Sequence, residues 1–179
     1  MVTGMILPDE HFSNIVIDNG KVVSDGSRNI VIGVAMPGLK ESLNLSKDQE
    51  KDITLIGKCE SITMIGSDVL IYRLVYNLVE NAIRYNHPGG QVTVTACRKE
   101  QKVYLSVADT GSGIPEDLRE RVFEPFFRVD KSRSRELGGV GLGLALAREI
   151  VRVHEGSITV RSNPSGGTIF DVTFTQGSI

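Results

Sequence analysis

Three short stretches hold side chains whose types and spacing could do chemistry. In Asn77-Leu78-Val79-Glu80-Asn81-Ala82-Ile83-Arg84-Tyr85, the residues Asn77, Asn81, Arg84 and Tyr85 follow at intervals of four, three and one. Those intervals put them on one side of a helix. Ile71, Val75, Leu78 and Ala82 fall together on another side, suited to packing on a sheet. Asn amide oxygens are hard ligands suited to Mg²⁺, and a guanidinium suits phosphate. A solvated helix face accounts for these residues equally well. In Asp109-Thr110-Gly111-Ser112-Gly113-Ile114-Pro115, a carboxylate stands at a strand end beside two alternating glycines. It could accept from an exocyclic amine such as that of adenine, while the glycines permit close approach. A tight turn after a strand has the same pattern. Gly138-Gly139-Val140-Gly141-Leu142-Gly143-Leu144 runs straight into a helical pattern. Free N–H groups at a helix N-terminus attract an anion. No Gly-Lys-Ser/Thr follows, so it is not a Walker loop. The dinucleotide fingerprint would need Gly or Ala at position 144, which is Leu. A hinge or close helix packing is the other reading.

The elements that must position these stretches follow from periodicity and punctuation. Ser67 is an N-cap for a helix running to about Asn86, closed by His87-Pro88-Gly89-Gly90. Residues 91–98 and 102–108 alternate as an antiparallel pair. Residues 115–121 suggest a short helix, and 142–154 an amphipathic one closed by Glu155-Gly156. Residues 157–162 and 168–175 form a last strand pair. Upstream, 53–56 and 62–65 read as short strands. Residues 14–18 and 21–24 read as a hairpin across Asn19-Gly20, and 29–36 as a strand. Residues 41–52 are polar and charged, a solvated helix or a linker, and 131–136 form a charged loop. The expected architecture is a two-layer α/β sandwich, with a mixed, mostly antiparallel sheet and helices on one face. Residues 1–52 are expected to be an N-terminal extension of unclear role or a part of the same domain, and 53–179 one folded domain.

Composition narrows the field. The 179 residues are 40% hydrophobic and 23% charged, an ordinary globular balance that excludes disorder and collagen-like repeats. Net charge is -2, with 20 basic against 22 acidic residues, so no basic field draws nucleic acid or an anionic membrane. The longest apolar runs are too short to span a bilayer, and no signal peptide is evident. Cys59 and Cys97 lack metal spacing and suggest a reducing compartment, without excluding one disulfide. His11, His87 and His154 have no second ligand at metal spacing and read as structural or surface residues. Phe123, Phe126 and Phe127 read from their spacing as a packing cluster rather than a cofactor platform.

Taken together and in order, these stretches resemble the catalytic and ATP-binding domain of sensor histidine kinases. That domain belongs to a wider ATPase superfamily of gyrase, heat-shock chaperone and mismatch-repair type. The resemblance covers about residues 53–174. Residues 77–85 look like the N box, 109–113 the first glycine box and Phe123-Glu124-Pro125-Phe126-Phe127-Arg128 the F box. Residues 139–144 look like the second glycine box and Gly166-Gly167-Thr168 the terminal one. The resemblance implies a Bergerat-type ATP-binding fold, with ATP and Mg²⁺ as ligands. It implies that Asn81 ligates the metal beside Asn77, that Arg84 touches phosphate and that Tyr85 lines the pocket. It implies that Asp109 accepts from the adenine amine. Gly111, Gly113, Ile114, Phe126, Val140, Leu142, Leu144 and Thr168 complete the implied nucleotide contacts. Residues 116–138 would form an ATP lid anchored by the F-box phenylalanines, and Gly139, Gly141 and Gly143 would hinge the lid and cradle phosphate. Asn77 stands where hydrolysing relatives place a water-activating Glu, which leaves Glu80 as the nearest candidate carboxylate.

Two departures from that pattern shape the expectation. Val140 occupies a position that often holds Ser or Thr, and no histidine has the acidic, Arg-Thr-Pro-like context of a phosphoacceptor. The expected function is presentation of the ATP γ-phosphate to a histidine on a separate helical dimerisation domain, with a response regulator downstream. The chain is expected to be a fragment of a larger kinase or to act in trans. The domain is expected to be cytoplasmic and its parent membrane-associated. The alternatives are an ATPase of the wider superfamily, an anti-sigma-type serine kinase and a non-catalytic nucleotide sensor.

Overall fold

A computed structural model of the chain describes residues 16–18, 21–23, 29–31, 53–59, 62–129 and 140–175. The expectations for His11, for residues 41–52, for the charged loop at 131–136 and for Gly138 and Gly139 lie outside these residues. Strands β1 (Val16–Asp18), β2 (Lys21–Val23) and β3 (Asn29–Val31) lead to β4 (Thr54–Cys59) and β5 (Thr63–Ile65). Helix α1 (Asp68–Arg84) follows, then β6 (Gln91–Lys99) and β7 (Lys102–Asp109). Two single 3₁₀ turns, Glu116–Leu118 and Arg121–Phe123, stand where the sequence suggested one short helix. Helix α2 (Gly143–Val153), β8 (Ser157–Ser162) and β9 (Thr168–Thr175) complete the order.

The main sheet runs β4-β6-β7-β9-β8, and every adjacent pair is antiparallel except β4 and β6. The expected sheet is mixed without saying which pair is parallel, and the structure supplies that pair. It follows from the chain path, because β4 reaches β6 only through a crossover containing α1, and a crossover delivers a parallel strand. A smaller sheet runs β2-β1-β3-β5. Its β1–β2 register sets Asp18 opposite Lys21, which leaves two residues between the strands, as the Asn19-Gly20 reading requires.

Alternation along the strands turns Val92, Val94, Ala96, Val103, Leu105, Val107, Phe170, Val172 and Phe174 into one core. Ile71, Leu74, Val75, Leu78, Val79 and Ala82 of α1 meet it, as do Ala147, Ile150 and Val151 of α2. Phe123 seals the end of this core edge-on to Phe170, with ring centroids 6.1 Å apart. The result is the two-layer α/β sandwich expected from the sequence. No helix among the described residues is long and apolar enough to cross a membrane.

Local chemistry fixes both ends of α1. Ser67 Oγ accepts from the Leu70 N–H at 3.4 Å, the expected N-cap. The helix stops at Arg84 rather than Asn86. Asn86 Oδ1 accepts from the His87 N–H at 3.0 Å, a local bond that competes with continued helix. His154, just past α2, fastens the two helices. Its Nε2 accepts from the Ser67 N–H at 3.0 Å while Nδ1 meets the Ile150 carbonyl at 2.8 Å. That fits the structural role its sequence context suggested.

Candidate functional site

Asp109 ends β7 and is only 5% exposed. Its Oδ1 accepts from the Gly111 N–H at 2.8 Å and the Thr168 N–H at 3.2 Å. Oδ2 accepts no hydrogen bond among the described residues. Burial pushes the carboxyl above the ordinary aspartate value, and the two backbone N–H groups pull it back only in part. Thr168 is itself buried at the start of β9. Gly113 lies against the Gly167 carbonyl, and Ile114 packs half-buried against the core.

Gly167 is the tightest point of this wall. Its φ is +90°, and a Cβ there would stand 2.5 Å from Asp109 Oδ1 and 2.6 Å from the Gly111 nitrogen. Neighbouring Gly166 has φ +92° with open space around it. Alanine at either position carries the backbone strain, about 1–3 kcal/mol. Only Gly167→Ala also drives a methyl into Asp109. Gly166→Ala is therefore expected to lower thermal stability and keep ligand affinity, and Gly167→Ala to lose both. Differential scanning calorimetry with ligand titration checks this pair.

The other wall is the polar side of α1. Asn77, Asn81 and Arg84 are half-buried and Tyr85 is exposed, so the helix turns this side away from the core as the spacing implied. Asn77 Nδ2 is buried without a hydrogen-bond partner. Such an orphan costs about 1–3 kcal/mol and invites an acceptor. Arg84 Nη2 donates to Glu80 Oε1 at 2.7 Å. The family pattern gives Arg84 and Glu80 separate roles, and the structure couples them.

The two walls are joined at the end of α1. The Ser112 N–H donates to the Tyr85 carbonyl at 3.1 Å. Asn86, buried, donates through Nδ2 to the Gln91 carbonyl at 3.1 Å, and its Oδ1 accepts from Thr110 Oγ1 at 3.3 Å. The role of Asn86 is not visible in the sequence, because its donor Thr110 lies beyond two strands.

Gly143, the first residue of α2, sits beside Asn77, where a Cβ would come within 3.7 Å of Asn77 Oδ1. Leu142 supplies no side-chain cap, so the first-turn N–H groups of α2 stay uncapped next to the orphaned Asn77 amide. This corner suits an anion. Gly141 accepts from the Phe126 N–H at 2.9 Å, tying the F-box stretch to the glycine stretch. Leu144 is half-buried against the core, and Val140 and Leu142 are exposed.

The packing reading of the three phenylalanines needs correction. Phe123 is buried and Phe127 packs partly against the core, but Phe126 is 67% exposed at φ +64°. The left-handed backbone turns its ring outward. Leu142 and Leu146 of the same region are exposed too. Leu146 drew no functional notice in the sequence, because one leucine on an amphipathic helix reads as core.

Residues 66–178 match the family described as histidine kinase-, DNA gyrase B-, and HSP90-like ATPase. The sensor histidine kinase RppB of Synechocystis sp. is 47% identical over 107 residues, covering 60% of this chain and 24% of that protein. The adaptive-response sensory kinase SasA of Rippkaea orientalis is 43% identical over 135 residues, covering 75% of this chain and 32% of that protein. The chain thus spans less than a third of the length of either relative. Among solved structures, a mycobacterial sensor histidine kinase, MprB, superposes with a TM-score of 0.66 at 29% identity, covering 79% of this chain and 93% of that one. Full-length ShkA in complex with AMPPNP superposes with a TM-score of 0.63 at 26% identity, covering 79% of this chain and 30% of that one.

Proposed function

The chain belongs to the histidine kinase-, DNA gyrase B-, and HSP90-like ATPase family, and on that premise we propose that it is the ATP-binding catalytic domain of a sensor histidine kinase. It presents the γ-phosphate of ATP to a histidine on a separate helical dimerisation domain, from which the phosphoryl group passes to a response regulator. The observation that carries this reading is the pairing of two complementary walls. Asp109, a buried residue, offers one carboxylate oxygen without a protein partner for an amine, and Asn77 with the start of α2 offers unpartnered N–H groups for phosphate. The AMPPNP complex of a structural neighbour supports the same ligand class.

Mg²⁺ fits the donor set. Among the described residues no three His, Cys, Asp or Glu side chains cluster. The half-buried Asn81 amide, one turn from Asn77, would ligate a metal carried in on phosphate oxygens. When bound, the metal would neutralise charge on the phosphates. The chain's own residues do the rest. Asp109 fixes the base, Tyr85 borders it, and Asn77 with the N-terminus of α2 holds phosphate. Glu80, steadied by Arg84, would take the proton from the attacking imidazole. Catalysis is then mainly positioning and charge stabilisation. The exposed side chains of Phe126, Leu142 and Leu146 offer the acceptor helices an apolar seat beside the phosphate end. Residues 1–52 are read as an extension of the same domain, since β3 pairs with β5 just before α1. We read the domain as cytoplasmic, within a membrane-attached parent.

The testing experiment incubates the chain with γ-labelled ATP, alone and with an acceptor-helix domain of a sensor kinase. Acid-labile, base-stable label is expected on the added domain only. Strong label on this chain alone, or repeated phosphate release without a partner, would overturn the reading in favour of a hydrolysing relative. Asn81→Ala is expected to weaken binding of Mg-ATP far more than binding of metal-free adenosine. Equal losses in titration calorimetry would remove Asn81 from the metal.

A further inference from the structure

We infer that Asn163 is a positioning residue for base recognition, its side-chain amide clamping the main-chain carbonyl of Asp109 so that a single carboxylate oxygen is turned to the nucleobase. The inference rests on Asp109 being the acceptor for the adenine amine.

The β7–β9 ladder ends at the pair Ala108 and Ile169, so Asp109 has run past its last partner on β9. Asn163, 54 residues on in the β8–β9 turn, supplies the missing donor, with Nδ2 to the Asp109 carbonyl at 2.7 Å. The same residue builds the turn. Its Oδ1 accepts from the Ser165 N–H at 3.1 Å, its N–H donates to the Gly167 carbonyl at 3.1 Å, and its carbonyl accepts from the Gly166 N–H at 2.9 Å. That turn sets Gly167 against Asp109 and brings the Thr168 N–H to Oδ1.

Asp109 is thus gripped from one turn at its carbonyl, at its carboxylate and along its backbone. The carboxylate cannot rotate freely, because Oδ1 is committed to two N–H groups. Only Oδ2 is left for an amine. Without the Asn163 donor the carbonyl loses its partner and the strand end can twist. Discrimination between an amine and any other group at that edge of the base then weakens.

Asn163→Asp separates this role from the building of the turn. It is nearly isosteric and keeps the oxygen that accepts from Ser165, but it places an acceptor where the donor stood. Affinities of the full chain would be measured for Mg-ATP and for Mg-purine riboside triphosphate, which lacks the 6-amine. Loss of one hydrogen bond's positioning is expected to weaken ATP by roughly 2- to 12-fold and to leave purine riboside triphosphate unchanged. Asn163→Ala is expected to give the same ATP-selective loss together with a lower unfolding temperature. Equal losses for the two nucleotides, or no loss in either variant, would overturn the inference and leave Asn163 a turn residue. Asp109→Asn is measured in parallel. If it spares ATP, the base-acceptor reading fails and the inference falls with it. If it costs ATP while Asn163→Asp does not, only the role of Asn163 fails.

Discussion

Glutamine in place of Glu80 is expected to leave Mg-ATP affinity unchanged and to slow phosphotransfer to a supplied acceptor helix by about 10²–10⁴-fold, the span of a positioned general base. Glu80 lies three residues after Asn77 and one before Asn81, within the polar side of α1. Its Oε1 is held by Arg84 Nη2 at 2.7 Å. A half-exposed pair of this kind adds little to stability. In the proposed mechanism the pair would serve orientation, anchoring one carboxylate oxygen and leaving the other to accept a proton. As the attacking imidazole nitrogen forms its bond to phosphorus and the bond to ADP breaks, the opposite ring N–H becomes acidic and needs an acceptor. Glutamine keeps the shape and the bond to Arg84 but cannot take the proton. Single-turnover transfer followed across pH measures the effect. An unchanged rate would leave positioning alone to account for the chemistry.

Asp109→Asn is expected to do the opposite, weakening the nucleotide while sparing the fold. The new amide can still accept from the Gly111 and Thr168 N–H groups. Its NH₂ would then face the adenine amine, donor against donor. An unsatisfied buried pair of this kind costs about 1–3 kcal/mol, or about 5- to 150-fold in affinity. The same NH₂ suits the carbonyl of guanine, so preference moves toward GTP. The pH dependence has a definite sign. Burial raises the folded-state value of Asp109 above its unfolded one, so the folded protein binds the proton more tightly. The ionised carboxylate therefore costs stability at neutral pH, and that cost disappears as pH falls through the raised value. Asp109→Asn should be the more stable protein at neutral pH and lose its advantage in acid. Wild-type ATP affinity should fall over the same acid window, while that of the variant stays flat. Calorimetric titrations across that window, with unfolding curves, test both halves.

The site was legible where its signals are local. The side of α1 carrying Asn77 and Asn81 follows from helical spacing, its start from Ser67, and the corner beside Gly143 from glycines preceding an amphipathic stretch. What escaped depends on partners remote in sequence. Asn163 reads as an ordinary turn residue until its acceptor, 54 positions earlier, is known. Asn86 likewise looks like a helix end, although Thr110, 24 positions on, makes it a joint between the two walls. The exposure of Phe126 was hidden for another reason. A phenylalanine in an aromatic cluster reads as core, and nothing in residue type announces a backbone at φ +64°. The parallel pairing of β4 with β6 depends on where a crossover lands, which strand periodicity does not encode.

The bond from the Thr168 N–H to Asp109 spans 59 positions of chain, and this distance reaches into the kinetics of folding. Contacts so far apart form only after long loops have closed, late along the route to the native state. A half-folded chain with α1 and the β6–β7 hairpin in place would still lack a finished receptor for the base. Nucleotide should therefore bind the native state and almost nothing before it. By mass action, ligand at a hundred times its dissociation constant would add about 2.7 kcal/mol to the free energy of global opening. Amides whose hydrogen exchange requires β9 to part from β7 should slow by the corresponding factor, while those that exchange by local fraying should not respond to ligand.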